Sequence, residues 1–195
     1  FYLLAYGYEE GIFGQPQPAL ALKYYQLSAE RFFSRAMLRM GTLYRDGITV
    51  SKNSELASRW FMLCSKQGSS ACAFNAGLMF DDGDGVTQNY QTARNFYEYA
   101  AHQGYAPAQN RLALLYLLGL GVEKNSAEAI KLLQKAAANG SVTANYYLGL
   151  LYFEGKEVPQ DYPKAKQYFQ LAEQHPAAKP YLKNWQQLTA PKSQP

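Results

Sequence analysis

Apolar side chains recur along this chain at three- and four-residue steps, the spacing of one face of an α-helix. Segments such as "SACAFNAGLMFDDG" and "NYQTARNFYEYAAHQG" show this spacing and end at glycines. The pattern predicts pairs of short helices and no sheet. We expect helices near residues 36–46, 54–67, 72–82, 90–103, 108–118, 126–139, 144–154 and 162–174.

The helix pairs repeat with a period of 36 residues. Several columns of equivalent residues keep this step without an insertion, and they include glycines, alanines and aromatic residues. They are Gly47, Gly83, Gly119 and Gly155; Ala21, Ala57, Ala93, Ala129 and Ala165; and Tyr8, Tyr44, Phe80, Tyr116 and Tyr152. So many columns in phase indicate a repeat architecture.

Two further columns predict how each helix pair is built. The second helix of a pair opens at Asn53, Asn89, Asn125 or Asp161, whose side chains can accept hydrogen bonds from the free amides of a first turn. A small residue recurs inside the first helix, at Ala5, Gly41, Gly77, Ala113 and Gly149. Small side chains let neighbouring helices approach closely, so a large residue at Gly77 is expected to jam neighbouring first helices.

These patterns predict an all-α fold, an α/α right-handed superhelical solenoid of about five two-helix repeats. The solenoid is expected to span residues 1–176, in repeats of about 1–32, 33–68, 69–104, 105–140 and 141–176. Residues 177–189 are predicted to form a capping helix, because Trp185 falls in the small-residue column and would block a further repeat. Residues 190–195 are expected to be a flexible tail.

One stretch carries a family resemblance. The segment "ANYYLGLLYFEGKEVPQDYPKAKQYFQLA", residues 144–172, resembles the Sel-1-like repeat, a relative of the tetratricopeptide repeat. The resemblance extends in register over residues 1–176 and implies a non-enzymatic adaptor that binds another protein or peptide, as bacterial members do in the envelope. It also implies two alternatives: a periplasmic immunity protein that neutralises a secreted toxin, or an enzyme that binds β-lactam or peptidoglycan-like ligands.

Composition narrows the partner classes. The formal net charge is +4, and no run of lysine and arginine interleaves with aromatic residues, so nucleic acid is not an expected partner. The most apolar stretch, "LALLYLLGLGV", is far shorter than a membrane span, so no membrane insertion is expected. The chain opens abruptly on "FYLLAYGYEEG", and we expect an upstream segment, such as a signal, that has been removed or lies outside the given sequence.

The chain has two cysteines, Cys64 and Cys72. They fall in facing columns on either side of a glycine turn, where they form either a disulfide or a reduced pair that replaces alanines in the core. Cysteine-rich members of the resembled family place bridges at this C-x7-C spacing, which implies a disulfide here. A disulfide favours a periplasmic or secreted protein, and reduced cysteines a cytoplasmic one.

The remaining candidate site is a surface. The first helices are expected to line the concave side of the solenoid, with their core rows turned away from it. The predicted partner-binding residues on that concave face are Tyr6, Arg39, Thr42, Arg45, Phe74, Asn75, Leu78, Arg111, Leu114, Leu117, Tyr146, Tyr147, Leu150 and Phe153. The alternative is that the leucines extend the core between adjacent first helices.

No catalytic, cofactor or metal site is predicted. The acidic run "DDGDG" lacks the glutamate that a calcium loop of the EF-hand type needs, and His102 and His175 stand apart from the cysteines. The sequence therefore predicts a binding scaffold without cofactors. It does not decide the identity of the partner or the oligomeric state.

Overall fold

The computed structural model describes residues 1–190, which form twelve α-helices and no strand. Ten of these helices make five pairs, and two short helices follow. The helices are α1 (Tyr2–Glu9), α2 (Pro18–Ala29), α3 (Ser34–Asp46), α4 (Ser54–Lys66), α5 (Ser70–Asp82), α6 (Tyr90–His102), α7 (Ala106–Leu118), α8 (Ser126–Ala138), α9 (Val142–Glu154), α10 (Tyr162–Leu171), α11 (Lys179–Lys183) and α12 (Trp185–Thr189).

The helix ends follow from local sequence. Each of the four predicted caps accepts a hydrogen bond from the backbone N–H three residues later, at 2.9 to 3.0 Å, and so begins its second helix. The glycines after α3, α5, α7 and α9 have φ between 69° and 71°, the left-handed conformation that ends a helix at little cost. The predicted all-helical fold is confirmed.

Several helix boundaries differ from the sequence prediction. First helices α3, α5, α7 and α9 begin two residues earlier, because the N-cap is the residue directly after the left-handed turn. Helix α10 ends at Leu171, three residues before the expected 174. The predicted capping segment is two short helices that meet at Asn184, and residues 191–195 of the predicted tail lie outside the described part of the chain.

The small-residue column faces an aromatic ring. A Cβ atom added to Gly41 would lie 2.5 Å from the Phe61 ring, and one added to Gly77 would lie 2.5 Å from the Tyr97 ring. The ring belongs to the second helix of the same repeat, whereas the sequence prediction assigned this column to neighbouring first helices. Phe61 and Tyr97 are fully buried, so the glycines set how closely the two helices of a pair approach.

Contacts divide the chain into two compact units. Unit 1 runs from Phe1 to Gln103 and holds α1–α6, and unit 2 begins at Gly104 and holds α7–α12. The boundary falls one residue before the end of the third predicted repeat. In unit 1 a core cluster contains both cysteines, together with Tyr25 and the methionines at 37 and 40.

The C-terminal helices pack on the last helix pair of unit 2. The Trp185 ring lies 5.9 Å from the Phe153 ring and 6.2 Å from the Phe169 ring, measured between centroids. The Tyr181 ring stacks on Phe169 at 4.5 Å. These contacts place Trp185 against the aromatic core of the last repeat.

Phe32 adopts a backbone conformation that glycine adopts in the other repeats. Its φ is 58°, and the equivalent residues Gly68, Gly104 and Gly140 have φ between 79° and 89°. A side chain in this region costs about 1 to 2 kcal/mol. The Phe32 side chain is 59% exposed, so little burial offsets this cost.

We expect Gly41→Ala to lower the free energy of unfolding by about 1 to 3 kcal/mol, because its methyl group would overlap the Phe61 ring. The fourth repeat has Ala113 and Leu133 at the equivalent positions, so Gly41→Ala combined with Phe61→Leu should recover much of that loss. Urea denaturation of the two variants and of Phe61→Leu alone measures the coupling. Additive effects of the two substitutions would contradict the contact.

We expect Phe32→Gly to raise the free energy of unfolding by about 0.5 to 1 kcal/mol, since glycine removes the left-handed strain. Phe33→Gly is the matched control. Phe33 has a φ of −77°, and its ring packs 5.1 Å from the Tyr2 ring, so this change should destabilise the protein. Thermal melting of both variants measures the difference. A lower melting temperature for Phe32→Gly than for wild type would contradict the proposed backbone strain at Phe32.

Candidate functional site

The predicted partner-binding residues of unit 1 lie on its first helices. Helix α1 carries Tyr6, helix α3 carries three of them and helix α5 carries three more. We call their shared surface the first-helix face of unit 1, which comprises Tyr6, Arg39, Thr42, Arg45, Phe74, Asn75 and Leu78. Tyr6 is exposed and the others are half-buried.

Arg39 is engaged inside this face. Its Nε donates to both carboxylate oxygens of Glu9, at 3.0 and 3.2 Å, and its Nη2 forms an ion pair with the same carboxylate. The Tyr25 hydroxyl donates to Glu9 at 2.6 Å. The hydrogen bond to Glu9 raises the pKa of Arg39. The pKa of Tyr25 is also raised, mainly by burial of the hydroxyl and secondly by its hydrogen bond to Glu9. The guanidinium charge is therefore neutralised within the protein.

Arg45 is engaged in the same way across the next pair of repeats. Its Nε donates to Asp46 at 2.7 Å and its Nη1 donates to the amide oxygen of Asn75 at 2.8 Å. The hydrogen bond from Arg45 holds the pKa of Asp46 below its usual value. Both arginines are predicted partner contacts, and in the structure they join adjacent repeats.

Three other residues of this face also have intramolecular contacts. The Thr42 hydroxyl donates to the Leu38 carbonyl at 2.7 Å, and the Asn75 side-chain amide donates to the Ala71 carbonyl at 2.8 Å. The Phe74 ring lies 5.8 Å from the Tyr97 ring. The spacing of 30 residues between Glu9 and Arg39, and between Arg45 and Asn75, is the sequence signal that could have revealed these links.

The predicted residues of unit 2 lie on α7 and α9. We call their surface the first-helix face of unit 2, which comprises Arg111, Leu114, Leu117, Tyr146, Tyr147, Leu150 and Phe153. Arg111 is exposed and the remaining side chains are half-buried. This face differs from that of unit 1 because six of its seven residues are leucine, tyrosine or phenylalanine.

Tyr146, Leu150 and Phe153 pack partly into the core of the last repeat. The Tyr146 ring stacks on the His175 ring at 4.4 Å with 8° between the planes, and burial raises the pKa of Tyr146. The Phe153 ring lies 5.3 Å from the Tyr181 ring. The segment that supplies these contacts follows α10 in the sequence, so part of the surface of Tyr146 and Phe153 is covered from within the chain.

A hollow between α7 and α9 contains the more exposed apolar groups of unit 2. It has a volume of about 170 Å³ and is lined by Leu117, Leu118, Leu151, Glu154, Lys156 and Glu157. We call it the α7–α9 hollow. Leu118 is 66% exposed. Of the residues that line the hollow, Leu117 alone is also one of the predicted partner-binding residues.

Charged pairs border the hollow. Lys156 pairs with Glu154 at 3.0 Å, and Lys124 pairs with Glu157 at 2.7 Å. The hydrogen bond from Lys124 lowers the pKa of Glu157. The charges at this rim are thus balanced locally, and the leucines are left as its distinctive chemistry.

Leu118 departs from the pattern of its own column. The equivalent positions in the other repeats are Glu10, Asp46, Asp82 and Glu154, all acidic and all exposed. A leucine that replaces a carboxylate at an exposed helix end contributes nothing to solubility and buries little surface. The difference between Leu118 and its acidic equivalents can be seen in the sequence alone. It distinguishes Leu118 from its neighbours better than helical periodicity does.

The two cysteines meet at the turn between α4 and α5. Their sulfur atoms are 2.00 Å apart, their Cα atoms are 5.6 Å apart, and both side chains are fully buried. This geometry fits a disulfide. The equivalent residues elsewhere are alanine, with Ser28 as the exception, so the pair occupies space that small side chains fill in the other repeats.

Residues 1–190 contain neither a cluster of metal-binding side chains nor a helix that could span a membrane. In that range no three histidine, cysteine, aspartate or glutamate side chains gather as metal ligands. The Nδ1 atom of His175 accepts a hydrogen bond from the Ala177 N–H at 3.3 Å, so this histidine is tied to the turn after α10. None of the helices in the described range has the length and apolar character of a membrane-spanning segment.

Comparison with solved structures identifies two similar proteins. A protective antigen of uropathogenic Escherichia coli, c5321, with an SLR fold, is 29% identical with a TM-score of 0.85, and the match covers 100% of this chain and 42% of the antigen. A Sel1 repeat protein from Oxalobacter formigenes is 27% identical with a TM-score of 0.87, over 99% of this chain and 81% of that one. This chain thus spans less than half the length of the antigen.

A third structure shows the fold alone. The immunity protein Pa5087 from Pseudomonas aeruginosa is 24% identical with a TM-score of 0.58, over 100% of this chain and 74% of that one. Curated proteins gave no match.

The family model of the Sel1 repeat matches five consecutive segments, residues 2–31, 34–69, 70–105, 106–141 and 142–175. These matches cover most of the chain and agree in register with the five helix pairs. The chain is a helical solenoid and belongs to the Sel1 repeat family.

Proposed function

We propose that this protein is a non-enzymatic scaffold that binds another protein or peptide through the first-helix face of unit 2, centred on the α7–α9 hollow. The observation that supports this most is Leu118, which is 66% exposed where four equivalent residues are acidic. Exposed apolar groups inside a rim of charges are typical of interaction sites. Sel1 repeats serve protein interactions, which agrees with a binding role.

The apolar part of the face supplies the anchor. Leu117 and Leu151 are half-buried beside Leu118, and Tyr147 lies on the same helix as Leu151. A partner with one apolar side chain would fill the hollow, and its flanking polar groups would meet the Lys156 and Glu157 charges. Tyrosine at the edge of such a site adds apolar area at low entropic cost.

The first-helix face of unit 1 has a different role in this proposal. Arg39 and Arg45 already hold Glu9, Asp46 and Asn75. A partner carboxylate would have to displace these bonds before it gained any. We therefore assign the two arginines to the joining of adjacent repeats and not to partner capture.

We place the protein in the bacterial envelope, either in the periplasm or outside the cell. The placement of Cys64 and Cys72 at bonding distance supports an oxidising compartment. The similar Escherichia coli protein is described as a protective antigen, which agrees with exposure outside the cytoplasm. The immunity protein from Pseudomonas aeruginosa is too distant in sequence to carry its role to this chain.

We expect Leu118→Asp to reduce partner binding about tenfold or more, because it removes the apolar anchor from the centre of the hollow. Folding should be unaffected, since the other repeats carry an acid at this position. The measurement is capture of envelope proteins of the native bacterium on the immobilised protein, followed by titration of whichever partner is captured.

Leu171→Asp is the matched control. Leu171 is 64% exposed, it also ends a helix, and it lies on α10, a second helix. A partner bound by wild type and by Leu171→Asp but not by Leu118→Asp supports the site. A partner lost only with Leu171→Asp would move the site to the second helices, and equal binding to all three proteins would remove the hollow from the interface.

We expect protein isolated without reductant to have a mass lower by two hydrogens than the reduced chain, with no thiol that alkylates after denaturation. Replacing Cys64 and Cys72 together by alanine should preserve the fold, because alanine recurs in both columns. The loss of the short closed loop should lower the free energy of unfolding by about 2 to 3 kcal/mol. Free thiols in freshly isolated protein would contradict both the bond and the envelope placement.

A further inference from the structure

A pocket opens between the second helices α4 and α6 of unit 1. Its volume is about 430 Å³, and it is lined by Ser65, Lys66, Thr92, Asn95, Phe96 and Tyr99. We call it the α4–α6 pocket. Small-molecule sites have volumes of roughly 300 to 1,000 Å³. The residues that line it belong neither to the first-helix face of unit 1 nor to the α7–α9 hollow.

Small side chains create the space. At the equivalent junction between α2 and α4, Leu56 stands where Thr92 stands here, and Trp60 stands where Phe96 does. In unit 2, Lys164 takes the position of Thr92 and lies 4.1 Å from the Tyr152 ring centroid. Thr92 is smaller than either, so the floor between α4 and α6 is left open.

Polar groups around the pocket are available to a ligand. Among residues 1–190, the side chains of Lys66, Asn95 and Tyr99 form no hydrogen bond or ion pair. The hydroxyl of Thr92 likewise has no protein partner in that range, and only its backbone N–H is bonded, to Asn89. The Ser65 hydroxyl is already used, since it donates to the Met62 carbonyl at 2.8 Å.

The charge in the pocket is a single cation. At the junction of α2 and α4 the equivalent of Lys66 is Glu30, which accepts a hydrogen bond from Gln26. The equivalent of Asn95 there is Arg59, which pairs with Glu55 at 2.6 Å. Both charges at that junction are thus satisfied along their own helices, whereas Lys66 has no such partner.

The lining selects one ligand chemistry. A phosphate or other dianion is bound by several cations or by a run of backbone amides, and this pocket has one ammonium group. A neutral apolar ligand would leave Lys66 and Asn95 unpaired. A carboxylate carries one charge and accepts several hydrogen bonds, and the Phe96 and Tyr99 rings provide faces for an aromatic neighbour.

We propose that the α4–α6 pocket binds a monocarboxylate attached close to an aromatic ring. Lys66 and the Asn95 amide hold the carboxylate, the Thr92 hydroxyl donates to it from the floor, and the ring lies against Phe96 and Tyr99. Two sources carry this chemistry: a free aromatic acid, and a peptide that ends in an aromatic residue. The site is independent of the proposed partner face, because no residue is shared.

The test is a titration of the full chain followed by NMR spectroscopy. The probes are 3-phenylpropionate, the peptide acetyl-Ala-Ala-Phe with a free carboxylate, and the carboxamide of each. We expect the carboxylates to shift amide signals of α4 and α6, and each carboxamide to bind about tenfold more weakly or worse, because a charge-assisted bond is lost. If the peptide binds more strongly than the free acid, the natural ligand is a peptide that ends in an aromatic residue. If the free acid binds more strongly, the natural ligand is a small aromatic acid.

Two variants test the assignment of the residues. Lys66→Gln should reduce carboxylate affinity about tenfold and leave carboxamide binding unchanged. Thr92→Leu copies Leu56 of the preceding repeat, so it should fill the floor, keep the fold and abolish binding of every probe. Lys135→Gln is the matched control, since Lys135 is also in the last turn of a second helix.

Four results would overturn the proposal. The first is no signal shift in α4 or α6 with any probe at millimolar concentration. The second is equal affinity for carboxylate and carboxamide, and the third is equal loss in Lys66→Gln and Lys135→Gln. Thermal melting of each variant shows whether it is folded, so a folded Thr92→Leu that still binds also counts against the pocket.

Discussion

The contact between a first-helix glycine and an aromatic ring is the constraint on which the rest of the structure depends. Gly41, Gly77 and Gly149 each face a buried ring of the paired helix, with room for no further atom. This contact sets the distance between the helices of a repeat. It thereby decides which side of α3, α5 and α9 is buried and which side reaches solvent. The faces described above exist because that packing leaves them outside.

The fold could be predicted from the sequence because its signals are local. Caps such as Asn53 and left-handed glycines such as Gly47 are satisfied within a few residues, so their meaning does not depend on distant parts of the chain. Because the sequence repeats every 36 residues, each local signal recurs in several repeats and can be recognised more easily. The partner of the glycine column could not be read in this way, since Gly41 and Phe61 are joined by packing and not by a motif.

The candidate site was also harder to predict, because it too depends on contacts between residues that are distant in the sequence. Helical periodicity places Arg39 and Phe153 on a solvent-facing row, and both lie on the predicted helices. Whether a side chain on that row is free depends on residues of the neighbouring repeat and of the cap, such as Glu9 and Tyr181. Comparison of equivalent positions carries more information, because it separates Leu118 from its acidic column and Thr92 from its bulkier one.

The bonds from Glu9 to Arg39 and from Arg45 to Asn75 have a consequence for how the repeats are arranged. Both join a residue near the end of one first helix to a residue 30 positions later, so the geometry of the two junctions is the same while the chemistry differs. If the second and third repeats exchanged places, Glu9 would face an asparagine and lose its ion pair. The second and third repeats are thus not interchangeable, and the polar residues at these two junctions specify the order of the first three repeats.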